Sequence, residues 1–437
     1  MKKVKIVIIG VGSLSFGRKA IVDVIANPEL TGGAEVTLAL VDTNTAALET
    51  MRAMAERYRE HFKVPGLKIE ADPDRRRVLT GADYVITAVS RQRWPLWRED
   101  FTIPAAFGFQ QVLGENGGPG GAFHALRSIH LMLEISRDIE ALAPGAWLLN
   151  YSNPESRVCL AVSRLTRLKA VGLCHGAFTT VATAARILGR PESELDVEIG
   201  GINHFHWMLK VTERATGRDL YPEFHQRLAE GDQGLDALTL QLYRTFGLLP
   251  FPTANHTGEY LSFAYETTGP TWMKYARPVP LEAGNEEVNA TVFHFGKILR
   301  GEDDFNQEWV LKRSQELAAE IICDIEFDRN HKEVSVNLPN QGAIPNLPAE
   351  AIVEVPALVG AAGIKPVAVG PLPEAIAALC RTQISIQTLL VDAYEKRSRK
   401  LLLQALMLDP VVNSLPRAER LMDEMLRLQA AFLPEFE

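Results

Sequence analysis

Cys174 and His175 follow a short apolar stretch ending at Leu173, and His204 comes 30 residues after Cys174 within Gly200-Gly201-Ile202-Asn203-His204-Phe205-His206. A thiolate and an imidazole can share a divalent ion. A closed structural zinc site wants four protein ligands, so a pair leaves coordination positions open for the oxygens of a ligand. Out of context, either residue is as readily a buried packing group, and His206 also reads as a satisfied core or loop histidine.

A second chemical feature lies near the N-terminus. The apolar run Val4–Ile9 enters Gly10-Val11-Gly12-Ser13-Leu14-Ser15-Phe16-Gly17, and a helical pattern, Arg18–Ala26, follows. Glycines at such a turn let a pyrophosphate approach backbone amides at a helix N-terminus. Asp42 ends the next apolar run, Glu35–Val41, where a carboxylate accepts both ribose hydroxyls of NAD and repels the 2′-phosphate of NADP. The last glycine falls two residues later than in Gly-x-Gly-x-x-Gly, so a plain tight turn with a solvated Asp is the alternative. The stretch Gly114-Glu115-Asn116-Gly117-Gly118-Pro119-Gly120-Gly121 holds five glycines in eight residues before the helical pattern Ala122–Ile135. It can wrap a ligand or simply turn a corner.

These residues need a frame. Through about residue 170, apolar strands alternate with amphipathic or Ala-rich segments, the pattern of a doubly wound parallel sheet. Tyr84–Val89 and Trp147–Leu149 read as two further strands, and Ser90, Arg91, Asn150 and Asn153 stand at their carboxyl ends. In open α/β sheets ligands sit at that edge. The expectation is therefore an α/β fold with a Rossmann-like domain, residues 1–195, and a second α+β lobe, residues 196–437, for substrate, metal and oligomer contacts. Long loops are expected between Ile202 and Pro280, and helices over Gln307–Cys323 and Pro373–Leu406, with a Pro- and Asn-rich strip, Asn337–Pro348, between them. There is no internal repeat, low-complexity tract or flexible linker.

Composition narrows the function classes. The 437 residues are 46% hydrophobic and 23% charged with a net charge of −8, which lacks the basic footprint of a nucleic-acid binder. No apolar run approaches the ~18 residues of a membrane span. Lys2-Lys3 and the run after it are too short, and too interrupted by glycine, for a signal peptide. The four cysteines are widely spaced, which suits reduced thiols in the cytoplasm better than a disulfide framework.

Taken together in this order, the motifs resemble those of glycoside hydrolase family 4, the NAD- and manganese-dependent glycosidases related in fold to lactate and malate dehydrogenases. The Gly10–Gly17 turn resembles that family's cofactor turn, and Gly117-Gly118-Pro119-Gly120-Gly121 its Gly-Pro-Gly-Gly loop. Asn150-Tyr151-Ser152-Asn153-Pro154 resembles its Asn-x-x-Asn-Pro segment, Cys174-His175 its Cys-His signature, and Gly201-Ile202-Asn203-His204 its second metal segment. Asn337-Leu338-Pro339-Asn340-Gln341-Gly342, Asn346-Leu347-Pro348 and Ala405–Pro410 also match. Similarity runs nearly end to end.

The resemblance implies cofactors NAD+ and Mn2+, or another divalent cation, and a homodimer or homotetramer. It implies an exception to two-carboxylate glycoside hydrolysis. A hydride leaves C3 of the sugar, the C2 proton is lost, the C1 group is eliminated, water adds, and the hydride returns. Cys174 and His204 would hold the metal. Gly10, Gly12, Ser13, Leu14, Ser15, Phe16, Asp42, Ser90 and Asn150 would face the cofactor, with Asn150 and Asn153 on sugar hydroxyls near the nicotinamide. Arg91, Glu115 and His256 would line the substrate site. His175 would protonate the leaving oxygen or merely orient the metal site. The C2 base would be Tyr260, with Tyr265 second, since Ala254 and Asn255 stand where some relatives carry Asp.

Family members acting on 6-phosphosugars often carry Asp or Asn after the metal cysteine and Pro two residues further on. Cys174-His175-Gly176-Ala177 departs from that and points to non-phosphorylated α-glycosides of a hexose, hexuronide or sulfoquinovose. An acidic C6 group would want a cation such as Lys274 or Arg277. The rival readings are a lactate/malate-type dehydrogenase and a non-catalytic NAD-binding regulator.

Overall fold

The computed structural model describes residues 2–13, 16–272 and 286–437, the side chains of 286–290 excepted. Leu14, Ser15, Lys274 and Arg277 lie outside the described residues. The strands are β1 (Lys2–Ile9), β2 (Ala34–Val41), β3 (Lys68–Ala71), β4 (Tyr84–Thr87), β5 (Trp147–Asn150), β6 (Lys169–Gly172), β7 (Leu195–Ile202), β8 (Phe205–Glu213), β9 (His331–Pro339), β10 (Ile352–Gly360) and β11 (Gly363–Pro366). They form one sheet in the order β3-β2-β1-β4-β5-β6-β9-β10-β7-β8, with β11 on β10. The first six run parallel in the 3-2-1-4-5-6 order of a dinucleotide-binding fold. From β6 onward every pairing is antiparallel, so the sheet passes without a break from the first part of the chain to the last.

Alternation explains the layering. On β1, Val4, Ile6 and Ile8 join one buried cluster, while Val7 and Ile9 join another on the opposite face. A strand buried on both faces has no polar side to show, and the unbroken apolar run follows. The strand order reverses between β2-β1 and β4-β5, and there a crevice opens at the carboxyl ends.

The Gly10–Gly17 turn fits this crevice closely. Gly10 has φ +94°, and a Cβ there would meet the carbonyl oxygen of Ala88 at 2.2 Å. Gly17 begins the helix Gly17–Ile25 packed on Val11, whose carbonyl oxygen lies 2.1 Å from where a Cβ would be. The late glycine is thus the close-packing glycine, displaced by a longer turn.

Elsewhere the expectations were only partly met. In the described part of Ile202–Pro280, which ends at Trp272, β8 and the helices Tyr221–Glu230 and Ala237–Phe246 occupy much of the stretch expected as long loops. The expected helix over Gln307–Cys323 is split into Glu308–Leu311 and Ala318–Glu326. Between them the backbone is drawn onto the first helix: Arg18 donates to the carbonyls of Val310 and Lys312, and Ser314 N–H donates to Asp23 at 2.6 Å. Pro373–Leu406 is two helices, Glu374–Lys396 and Arg399–Leu408, separated at Arg397 (φ +54°) and capped anew by Ser398. Among the described residues, no helix is long and apolar enough to cross a membrane.

Gly10→Ala combines a left-handed backbone with a clash and should lower the unfolding free energy by at least about 2 kcal/mol in a denaturant titration. Gly81→Ala, also at positive φ but in open space, should cost about 1 kcal/mol.

Candidate active site

A cavity lies along the carboxyl ends of the parallel strands. Its wall includes Gly10, Ser13, Phe16, Asp42, Ser90 and Arg91, together with Glu115, Asn153, Cys174, His175, His204 and His256. The turn and the Cys-His segments, far apart in sequence, therefore share one space.

Two connections carry the central pair. Cys174 leaves β6 just before the helix Gly176–Leu188, and the Gly176 N–H donates to its sulfur at 3.4 Å. A helix N-terminus favours a thiolate there. His204 sits in the two-residue turn of the β7–β8 hairpin at φ +60°, a conformation that costs a non-glycine residue energy and tends to persist at functional sites. Cys174 Sγ and His204 Nε2 are 3.4 Å apart. Two ligands of one ion, bonded at the usual sulfur and nitrogen distances, lie roughly 3.1–3.6 Å from each other.

The electrostatics fit a cation. Enclosure, then Glu354, Glu155 and Glu316, push the Cys174 thiol well above its ordinary range. Burial, then His256, push His204 well below its own, so the imidazole is neutral, the form that binds metals. Glu155 is buried with Oε1 unpartnered. A divalent ion held by this pair would displace the thiol proton.

Around this pair the side chains are braced. His175 Nδ1 meets Glu316 Oε1 at 3.0 Å, which leaves Nε2 for the cavity. Beneath, His206 Nδ1 meets Glu354 Oε2 at 2.9 Å, and its Nε2 meets Thr180 Oγ1 at 2.8 Å. His206 is the satisfied core histidine. His204 stacks on Phe251 and lies tilted against His256.

The glycine-rich loop is held from below. Glu259 Oε1 accepts the N–H groups of Glu115, Asn116 and Gly117 at 2.5, 2.9 and 3.3 Å. A Cβ on Gly117 would stand 2.2 Å from the Glu259 carbonyl oxygen. Burial and Glu115 push the Glu259 carboxyl up to about 8 against the pull of those amides. Burial alone would raise Glu115 as well, but Arg93, His256 and His124 outweigh it and hold that carboxyl at about 2. Glu115 is an anion in the cavity wall.

Several expected residues lie elsewhere. Gly12 is under the turn, its N–H on Asp42 Oδ2 at 2.8 Å; Asp42 also accepts Asn44 N–H, and burial raises its carboxyl. Asn150 is off the wall, because its amide is consumed locally: Oδ1 takes Thr87 Oγ1–H and Ser152 N–H, and Nδ2 donates to the Ser152 carbonyl. It shapes the strand end and leaves Asn153 exposed to the cavity. Tyr260 is 5% exposed with its hydroxyl on the Asn203 carbonyl at 3.2 Å, behind the wall; Tyr265 packs against the core. Arg91 reaches the wall but pairs with Glu134 at 2.8 Å. Residues not foreseen are Arg93, paired with Glu115 and lying over Trp97, the stacked Trp94 and Trp97, and the carboxylates Glu155, Glu316 and Glu354. Glu316 and Glu354 come from 141 and 148 residues beyond the histidines they brace. No local spacing announces them.

Comparison with known proteins decides the relationship. Residues 5–190 match the family described as family 4 glycosyl hydrolase, and residues 199–412 match the family 4 glycosyl hydrolase C-terminal domain. The chain belongs to glycosyl hydrolase family 4. It is 31% identical to an alpha-galactosidase of Bacillus subtilis (strain 168), over 99% of this chain and 100% of the relative. It is 30% identical to an alpha-glucosidase of Erwinia rhapontici, over 98% of each. Among solved structures, a 6-phospho-alpha-glucosidase from gut microorganisms in complex with NAD and Mn2+ shares the fold, with TM-score 0.84, 24% identity and full coverage of both chains.

Glu259→Ala would strand three buried amide N–H groups at the loop. It should lower the unfolding free energy by at least about 3 kcal/mol, measured by urea denaturation.

Proposed function

We propose that this chain is a glycosidase using NAD+ as a recycled redox cofactor with Mn2+ or another divalent cation, and that it cleaves non-phosphorylated α-glycosides of a neutral hexose. The observation that carries the reading is the 3.4 Å approach of Cys174 and His204 on the same wall as the Gly10–Asp42 turn. When bound, NAD+ would supply reversible hydride transfer at C3 of the sugar, and the cation would supply Lewis acidity that makes the C2 proton labile. Cys174 and His204 would hold the cation. Asp42 accepts ribose hydroxyls, and the turn at Gly10 admits the pyrophosphate.

His175, its Nδ1 fixed on Glu316, presents Nε2 to the departing C1 oxygen as the general acid. Asn153 binds sugar hydroxyls at the strand end. Tyr260 can take the C2 proton only by giving up its bond to the Asn203 carbonyl, and Tyr265 is the other candidate. Neutral substrates suit the wall: Arg91 and Arg93 are each paired with a carboxylate, so neither guanidinium is reserved for an acidic C6 group. The names of the two 30–31% identical relatives support a non-phosphorylated α-glycoside, and the bound groups of the gut-microbial structure support the cofactor pair.

Aryl α-glucosides and α-galactosides should release sugar without accumulating NADH, and in heavy water the released sugar should carry deuterium at C2. Protium retained at C2 in all product, or NADH formed mole for mole, would overturn the reading in favour of another mechanism or a plain dehydrogenase. Glucuronides and sulfoquinovosides in the same panel test the preference for a neutral C6. Cys174→Ser should lose at least about 100-fold in activity while NAD+ binding, followed by fluorescence titration, persists.

A further inference from the structure

We propose a second divalent-cation site, formed by Asp324, His331 and Glu333 at the edge of the sheet away from the cavity. Asp324 projects from the helix Ala318–Glu326; His331 and Glu333, two residues apart on β9, share one face of the strand. The connection between helix and strand turns back through left-handed Asp328 and Asn330 (φ +49° and +50°), which brings the helix end onto the strand start.

The donor atoms converge. His331 Nδ1 is 3.5 Å from Asp324 Oδ2 and 3.4 Å from Glu333 Oε1, and all three lie within 4.8 Å of one another. Those two carboxylate oxygens are buried, on residues 0% and 4% exposed, and neither takes a hydrogen bond from an N–H or hydroxyl group. Ligands of one ion bonded at about 2.0–2.2 Å lie roughly 2.9–3.6 Å apart. Arg329 takes Asp324 Oδ1 at 3.2 Å, but it also serves Glu29 and Glu320, and Arg313 serves Glu320. Four carboxylates thus face two guanidiniums. Two buried carboxylates turned on each other are unfavourable unless a proton or a cation lies between them.

One nitrogen and two oxygens, with His331 exposed so that water can complete the shell, suit Zn2+ or Mn2+. Asn337, farther along β9, pairs with Gly172 beside the catalytic cysteine. Six residues of strand put the two sites about 20 Å apart. The ion would staple the helix to the sheet and add to stability rather than to chemistry.

The test uses the full chain carrying Cys174→Ser, so that the catalytic pair no longer holds metal. Equilibrium dialysis against Zn2+ should find an ion per chain, and zinc should raise the melting temperature. Adding His331→Ala or Glu333→Gln should weaken that binding at least about tenfold and abolish the shift. Melting curves without zinc report whether each variant is folded, and exposed His331 is the gentler change. No zinc bound to the Cys174→Ser chain would mean that the two carboxyls share a proton instead. Zinc binding that survives both further substitutions would place the ion elsewhere. Either result overturns the proposal.

Discussion

A sulfur and a ring nitrogen from separate connections must meet 3.4 Å apart, and much of the architecture follows from that requirement. Cys174 is delivered by the last parallel strand. His204 is delivered by a hairpin that reaches the same edge only because β9, β10 and β7 extend the sheet antiparallel from β6. Glu354 on β10 pairs with Gly201 on β7, and its carboxylate fixes His206 two residues beyond His204. The left-handed backbone at His204 is held by this packing on both sides.

The same pair sets the charge balance of the cavity. Burial, and after it Glu354, Glu155 and Glu316, push the Cys174 thiol well above its ordinary range. On the proposed reading, a cation held by Cys174 and His204 would offset this accumulation of acidic groups. His175 gains from the arrangement, since Glu316 fixes which of its nitrogens faces the cavity. Glu115 and Glu259 manage a second group of charges, one ionised in the wall and one spent on the amides of the glycine-rich loop.

The parts legible in the sequence were those whose cause is local. The apolar run of β1, the glycines after it and Asp42 lie within one strand-turn-helix-strand unit, so their spacing already carries their geometry. The β7–β8 hairpin was also within reach, for Leu195-Asp196-Val197-Glu198-Ile199 alternates apolar and acidic residues, but the aromatic and histidine content of the next stretch read as loop. What stayed hidden depends on distant chain. Asp23 and Arg18 break a helix nearly 300 residues away, and Thr87 consumes the amide of Asn150 across a strand pair. Tyr260 was recognised by its motif, yet its hydroxyl is turned to the Asn203 carbonyl by packing on Phe205.

The most direct measurement is anomalous diffraction from a crystal grown with NAD+ and Mn2+, recorded on both sides of the manganese edge. The account predicts a manganese peak bonded to both Cys174 Sγ and His204 Nε2, beside the nicotinamide ring. A crystal with the dinucleotide bound and manganese absent from that pair, or bound to only one of the two residues, would contradict it.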